Sequence, residues 1–225
     1  MSQSRASMRS GRVAWSPGRF VDTTVDGPAD ASVGIVLAHG AGAGRDHPFM
    51  AGLSRAMAAH GMLVTRFDYP YVAEGRRLPD RLDTLVAAHR AVVTAVAAKG
   101  RKLILAGKSM GGRVASHVRD VGADGFVFFG YPLVPIGKTA PRDTTHLDAL
   151  TAPLLFIQGE RDRLAPPGLL GPVVGRLPLA SLVEIPEADH SFRVPKRVGV
   201  SEEEMVGRLA GLVAAWGPAR PAGGH

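Results

Sequence analysis

One serine in this chain lies between two glycines, in a pattern that could place a nucleophile. Gly107, Lys108, Ser109, Met110 and Gly111 spell G-x-S-x-G, directly after the apolar run KLILAG and before a helical pattern. In a sharp turn between a buried strand and a helix, flanking glycines let the backbone push the serine side chain out above the edge of a sheet. The pentapeptide therefore predicts that Ser109 is a nucleophile on such a turn.

The same residues could instead bind a phosphate group, because GKS also ends a P-loop. A P-loop requires G-x-x-x-x-G-K-[ST], and the position five residues before Gly107 is Lys102 rather than glycine. The glycine-rich stretch HGAGAG also fails the dinucleotide pattern G-x-G-x-x-G, since Arg45 occupies its last position. We therefore expect no nucleotide and no other cofactor.

A serine hydroxyl is a poor nucleophile and needs a histidine base, which in turn needs an acid to orient it. After a G-x-S-x-G turn the expected chain order is Ser, then Asp or Glu, then His. His190 follows the last apolar run in EADHSF, and Asp162 follows PLLFIQG in GERDRLA. Asp143, in the loop after GFVFFG, could orient the same histidine and stays an alternative to Asp162.

The reaction also needs backbone donors for the oxygen that becomes negatively charged. One predicted donor is the amide of Met110, directly after the serine. The other is expected in the loop after the first core strand, where HGAGAG offers bare backbone, with Ala41 as the first candidate and Gly42 as the next.

These residues are positioned by a regular alternation of apolar runs and helical patterns. The predicted strands are VGIVLAH, MLVTRFDYP, KLILAG, GFVFFG, PLLFIQG and ASLVEIP. Continuous apolar strands separated by helices predict an α/β fold, with a doubly wound, mostly parallel sheet and helices on both faces. VAWSPGRFVDTTVDG predicts an antiparallel pair at the sheet edge. The segment between GFVFFG and PLLFIQG is too short for a separate lid domain.

Composition limits the class of protein further. The chain has 225 residues, 45% of them hydrophobic, no cysteine and a net charge of +7. We expect one domain over residues 13–217, a basic disordered tail over 1–12, for which a targeting segment is the alternative, and a flexible tail over 218–225. Four of the seven net charges lie in the first twenty residues, so we expect no nucleic-acid partner. We also expect no metal and no membrane contact, and a cytoplasmic protein that acts on a small molecule.

A loop rich in arginine follows the second core strand and would reach the same edge of the sheet. We predict that Arg76 and Arg77 contact the substrate, because guanidinium groups match the geometry of a carboxylate. Tyr131 is also predicted to contact the substrate. In the alternative interpretation, one arginine only pins the loop by pairing with a carboxylate of the chain. The candidate partners are Asp68, Glu74 and Asp80.

Longer motifs carry a resemblance to a known family. They are LAHGAGAG, RFDYPYVAEGRRLPDR, AGKSMGGRVAS, FFGYPLVPIGK, LLFIQGERD and DHSFRVPKR, spread over residues 33–216. The chain resembles a lidless α/β-hydrolase of the dienelactone-hydrolase-like kind. More narrowly, it resembles the subfamily named after testis-expressed protein 30 and the third subunit of the NSL chromatin complex.

The resemblance implies a triad of Ser109, Asp162 and His190 that cleaves a small ester, lactone or thioester through an acyl-enzyme. Dienelactone hydrolases proper have a cysteine nucleophile, whereas this chain has Ser109. Two alternatives remain: a non-catalytic binding or scaffold protein on the same fold, and an acyltransferase or perhydrolase that uses the same triad.

Overall fold

A computed structural model of the protein describes residues 9–216, which form a single sheet covered by helices. The strands are β1 (Arg9–Ser16), β2 (Arg19–Asp26), β3 (Val33–Ala38), β4 (Leu63–Phe67), β5 (Lys102–Lys108), β6 (Gly125–Phe129), β7 (Leu154–Gly159) and β8 (Ala180–Ile185). Their order across the sheet is β1-β2-β4-β3-β5-β6-β7-β8. The six strands from β4 to β8 in this order run parallel, as predicted.

The antiparallel pair predicted at the sheet edge is confirmed, but it begins earlier than expected. β1 pairs with β2, and β2 pairs with β4, both in antiparallel register. The register joins Arg9 to Val25 and Arg12 to Asp22, so residues 9–12 belong to β1 and not to the predicted tail. The rest of that tail, and the predicted C-terminal tail over 218–225, lie outside the described residues.

Six helices cover the two faces of the sheet. They are α1 (Pro48–Ala59), α2 (Pro70–Ala73), α3 (Leu82–Val96), α4 (Met110–Ala115), α5 (Pro167–Gly175) and α6 (Glu202–Trp216). In β3, Ile35 and Leu37 pack on the side of α1 and α6, while Val36 and Ala38 pack on the side of α3, α4 and α5. Both faces of the strand are therefore apolar, which explains its unbroken hydrophobic sequence.

Four local features differ from the predicted elements or extend them. The helix after Ser109 ends at Ala115, earlier than the helix predicted over SMGGRVASHVRDVG, and α5 was not predicted. The start of α6 is capped, because the Ser201 hydroxyl accepts from the Glu204 amide and the Glu204 carboxylate accepts from the Ser201 amide. The connection from β6 to β7 contains only a 3-10 turn, Thr145–Ala149, so no separate lid is present there.

No helix among residues 9–216 combines the length and the apolar content that are needed to cross a membrane.

Candidate active site

Ser109 occupies a strained turn at the carboxyl end of β5. Its backbone has φ 52° and ψ −118°, a combination that residues other than glycine seldom adopt. The turn is held in place by the Ser109 amide, which donates to the carbonyl of Phe129 at 2.9 Å. A strained residue of this kind persists only where the surrounding structure fixes it, and such residues concentrate at functional sites.

The glycines on either side of Ser109 are required by close packing of the backbone. A Cβ atom on Gly107 would lie 2.3 Å from the backbone of Gly111. A Cβ atom on Gly111 would lie 2.4 Å from the carbonyl oxygen of Ala38. The G-x-S-x-G sequence thus allows α4 to begin directly against β3 and β5, and this contact fixes the position of the serine.

The structure brings Ser109, His190 and Asp162 together in one hydrogen-bonded chain. The Oγ atom of Ser109 lies 2.8 Å from Nε2 of His190. The Nδ1 atom of the same imidazole lies 2.6 Å from Oδ2 of Asp162. The network assigns a neutral imidazole that donates through Nδ1 to the carboxylate and accepts the serine hydroxyl at Nε2. This arrangement can take a proton from the serine.

Asp162 is buried at the end of β7, and its carboxylate has further partners. Its Oδ1 atom accepts from the amide of Leu164 at 2.8 Å, and its Oδ2 atom also accepts from the side-chain amide of Gln158. The alternative acid, Asp143, instead bonds the amide and the hydroxyl of Thr145. The carboxylate beside His190 is therefore that of Asp162.

The loop that carries His190 is stiffened by its own hydrogen bonds. The carboxylate of Asp189 accepts from the amides of Ser191 and Arg193 at 2.8 and 2.9 Å. The Asp189 amide in turn donates to the Arg193 carbonyl at 2.9 Å. This aspartate, next to the histidine in sequence, thus shapes the turn and does not contact the imidazole.

The loop after β3 is anchored from two sides. The buried His39 accepts the amide of Tyr69 at Nε2, and its Nδ1 donates to the Gly40 carbonyl at 2.8 Å; burial lowers the pKa of His39. Further along, the amide of Arg45 donates to Asp68 at 2.7 Å, and the guanidinium of Arg45 pairs with the same carboxylate. These contacts hold the glycine-rich loop against the end of β4.

The predicted backbone donors differ in where they lie. Ala41 lines the cleft that contains Ser109 and His190, whereas Gly42 is exposed and outside the cleft wall. Within residues 9–216, the backbone N–H groups of Ala41 and Met110 donate to no protein group. Both are thus free to donate to a ligand.

Ser109 and His190 open onto a cleft of about 1090 Å³ between the sheet edge, α1 and α6. Much of its wall is apolar, and the rings of Phe49 and Phe192 stack there with their centroids 6.0 Å apart. Lys108 also lines the cleft, with its Nζ atom 5.6 Å from the centroid of Phe192.

Of the three residues predicted to contact the substrate, none lines this cleft. Arg76 donates to Glu74 and Asp80, at 2.8 and 2.6 Å, as in the alternative interpretation in which an arginine pins its loop. Arg77 is exposed beside it. The prediction for Tyr131 is wrong, because its side chain is fully buried and its hydroxyl points toward Ser116 and His146.

Two residues at the site were not predicted. Gln158 donates to Asp162 and accepts the Tyr131 amide, and it is the one polar residue in the run PLLFIQG, which is the signal that could have revealed it. Lys108 is the other, because it occupies a variable position of G-x-S-x-G, which predicts nothing about its side chain. Among residues 9–216, no group of three or more His, Asp or Glu side chains is arranged to hold a metal ion.

A parallel sheet with a strained serine after its central strand, followed in the chain by Asp and His at neighbouring strand ends, defines an α/β-hydrolase scaffold. The chain belongs to the family described as the alpha/beta hydrolase domain, whose model matches residues 31–217.

Solved structures with the same fold include a serine hydrolase without a lid from Xanthomonas campestris, with a TM-score of 0.72 at 23% identity; the match covers 95% of this chain and 97% of that one. A dienelactone hydrolase from Anabaena variabilis gives a TM-score of 0.72 at 18% identity, covering 94% and 97% of the two chains. An esterase domain from Rhodothermus marinus gives 0.71 at 16% identity, covering 93% and 97%. At these identities the likeness concerns the fold.

Proposed function

We propose that the protein is a serine hydrolase that cleaves a small ester, lactone or thioester through an acyl-enzyme intermediate. The observation that carries this proposal is the continuous hydrogen-bonded chain from Ser109 through His190 to Asp162, which begins in an open cleft. Esterases and dienelactone hydrolases among the proteins of similar fold support the same class of bond. The motif resemblance to the testis-expressed-protein-30 subfamily supports the same triad.

In the proposed mechanism, Ser109 Oγ attacks the carbonyl carbon of the substrate while Nε2 of His190 takes the hydroxyl proton. The carbonyl oxygen becomes an oxyanion, which the amides of Met110 and Ala41 stabilise. The intermediate collapses, and His190 gives its proton to the leaving alcohol or thiol. Water then attacks the acyl-serine, His190 takes a proton from it, and the acid departs as Ser109 regains its hydrogen.

The shape of the site supports a small or exposed substrate. The cleft is open to solvent along α1 and α6, and its apolar wall around Phe49 and Phe192 suits an acyl chain or ring. We infer that the specificity lies in this wall, because the arginine-rich loop after β4 does not reach it.

The acyl-enzyme can be tested by partitioning between water and methanol. Two acetate esters with different leaving groups, p-nitrophenyl acetate and phenyl acetate, form the same acetyl-serine. We expect the ratio of methyl acetate to acetic acid to be the same for both esters, because both products arise from one intermediate. Ratios that differ between the two esters would contradict a shared acyl-enzyme.

Two variants complete this test. Ser109→Ala should abolish turnover of both esters. Ser181→Ala, which removes an exposed hydroxyl on β8, should keep it. Wild-type turnover by Ser109→Ala would contradict the role of Ser109 as nucleophile, and absence of turnover by the folded wild type would favour a binding or scaffold role.

A further inference from the structure

The side chain of Lys108 adds a positive charge to the cleft beside the nucleophile. Lys108 ends β5 on the same face as Ala106, which is the face that α1 and α6 cover. Its Nζ atom approaches the ring of Phe192 to 5.6 Å, and the residue lines the same cleft as Ser109. The mechanism proposed above gives this ammonium group no task.

Lys108 has no counter-ion in the part of the chain that the structure describes. No carboxylate among residues 9–216 forms an ion pair or a hydrogen bond with its ammonium group. The carboxylates whose charges act on it, Asp162 and Asp189, are already occupied by His190 and by backbone amides. Burial lowers the pKa of Lys108 to about 8, an effect that these two charges oppose. A half-buried cation without a partner is costly, and an anionic ligand would relieve that cost.

The absence of a side chain at residue 130 leaves the amine room beside the imidazole. Gly130 has a φ of 65°, and a Cβ atom there would lie 3.0 Å from Nζ of Lys108 and 3.4 Å from Cε1 of His190. The amine of Lys108 thus lies close to the Cε1 edge of the His190 ring, and both residues line the cleft that contains Ser109. A substrate held by His190 and Ser109 would bring its nearest substituents to Lys108.

We propose that Lys108 binds a carboxylate that the substrate carries close to its scissile carbonyl. This inference rests on the proposed hydrolase function and specifies its substrate class as anionic esters, lactones or thioesters. The carboxylate can belong to the acyl part, as in a half-ester of a dicarboxylic acid, or to the leaving group. A lysine ammonium is a compact charge that binds either one without a fixed direction.

The test compares charged and neutral esters of similar size. On the acyl side the pair is mono-p-nitrophenyl glutarate and p-nitrophenyl hexanoate; on the leaving-group side it is 4-acetoxybenzoate and phenyl acetate. The readout is the ratio of kcat/KM for the charged ester to kcat/KM for its neutral partner. Lys108→Met should lower this ratio by about 10- to 100-fold in one of the two pairs, which also shows where the carboxylate lies.

Lys138→Met is the matched control, because Lys138 is an exposed lysine outside the cleft wall, and its loss makes the same change in net charge. The ratio should stay at its wild-type value in that variant. An equal loss in both lysine variants would show a long-range effect of net charge and would overturn the assignment to Lys108.

The pH dependence of the wild-type ratio gives a second readout that needs no variant. The ratio should be constant between about pH 6 and 7, where the ester carboxylate is charged and Lys108 keeps its proton, and fall as the pH rises through about 8. His190 acts on both esters in the same way, so its contribution cancels in the ratio. Other ionisable groups near the amine or further along the cleft are Asp162, Asp189, His47, Arg55, Arg193, Glu202 and Glu203. Lys108→Met should remove the fall of the ratio near pH 8. Lys108→Arg should keep the ratio high above pH 8, because a guanidinium group stays protonated there.

Failure of this inference differs from failure of the proposed function. A ratio that is flat with pH and unchanged in Lys108→Met, in a protein that hydrolyses the neutral esters, would overturn the role of Lys108 alone. If neither ester is hydrolysed at any pH, the hydrolase function itself is lost. If Lys108→Met does not fold, as judged by circular dichroism, the wild-type pH profile and Lys108→Arg decide the question.

Discussion

The Nδ1 atom of His190 lies 2.6 Å from Oδ2 of Asp162, and the two residues follow adjacent parallel strands, β8 and β7. Because the carboxylate is also held by the Leu164 amide and the Gln158 side chain, it cannot easily turn away. The imidazole is therefore fixed with its proton on Nδ1 and its lone pair toward Ser109.

Asp162→Asn should lower kcat for p-nitrophenyl acetate by about 10⁴-fold while leaving the fold intact. An amide at this position can donate to Nδ1, which stabilises the tautomer with the proton on Nε2. In that tautomer Nε2 has no lone pair to accept the proton of the serine hydroxyl. Asp143→Asn is the matched control and should be nearly silent, because Asp143 bonds Thr145 and not His190. A large loss in Asp143→Asn with little loss in Asp162→Asn would transfer the acid to the preceding loop.

Ser109→Ala and His190→Ala should each remove most of the esterase activity, and the double variant should be little worse than either. The two side chains move one proton together, so the loss of one makes the other ineffective. Steady-state kcat for the three variants measures this. Losses that multiply in the double variant would mean that the residues act independently.

Gly111→Ala should destabilise the protein by about 1–3 kcal/mol and reduce activity, because the new methyl group would overlap the Ala38 carbonyl and displace the turn at Ser109. Gly211→Ala, in the middle of α6, is the matched control: a Cβ atom there meets nothing within 4 Å. It should stabilise the protein by about 0.5–1 kcal/mol through helix propensity. Urea unfolding of both variants tests the contrast, and a silent Gly111→Ala would refute the close contact with β3.

Two histidines behind the site should make stability depend on pH. The rings of His117 and His146 stack with centroids 3.7 Å apart, and burial, with smaller contributions from nearby positive charges, lowers the pKa of each to about 4. The unfolded chain binds these protons near pH 6.5, so the folded state loses stability as the pH falls from 6.5 toward 4.

Replacing one ring isolates this effect from the titration of carboxylates. Between pH 7.5 and 4.5, the melting temperature of the wild type should fall by about 2–4 °C more than that of His117→Gln. The buried His89 is present in both proteins, so its contribution to the difference cancels. Equal falls in both proteins would show that the stacked pair does not bind protons on unfolding.

Parts of the fold were predictable because burial on both faces leaves a strong signal. The strands β3 and β6 and the centres of β5 and β7 read as unbroken apolar runs. β1 was predicted to start late, because residues 9–12 pair through their backbone while their side chains are exposed and carry no apolar pattern. α5 was missed because Pro167, Pro172 and three glycines hide a helix that buries Leu170 and Val174.

The site residues, too, could be predicted from the sequence only in part. Ser109, Asp162 and His190 could be located because each follows an apolar run at the carboxyl end of the sheet, in a fixed chain order. Position along the chain could not decide the direction of a side chain. Tyr131 also follows a strand, yet it turns into the core, and Arg76 turns to its neighbouring carboxylates. Only the three-dimensional packing shows that Lys108 faces the cleft.

The most direct test of the central claim is labelling with a fluorophosphonate probe, followed by peptide mapping of the modified residue. A phosphonate is attacked only by a serine whose hydroxyl is activated, so the experiment does not depend on the natural substrate. We expect one label per chain, on Ser109, with labelling abolished in Ser109→Ala and slowed strongly in His190→Ala. Absence of labelling in the folded wild-type protein, or a label on another serine, would contradict the account.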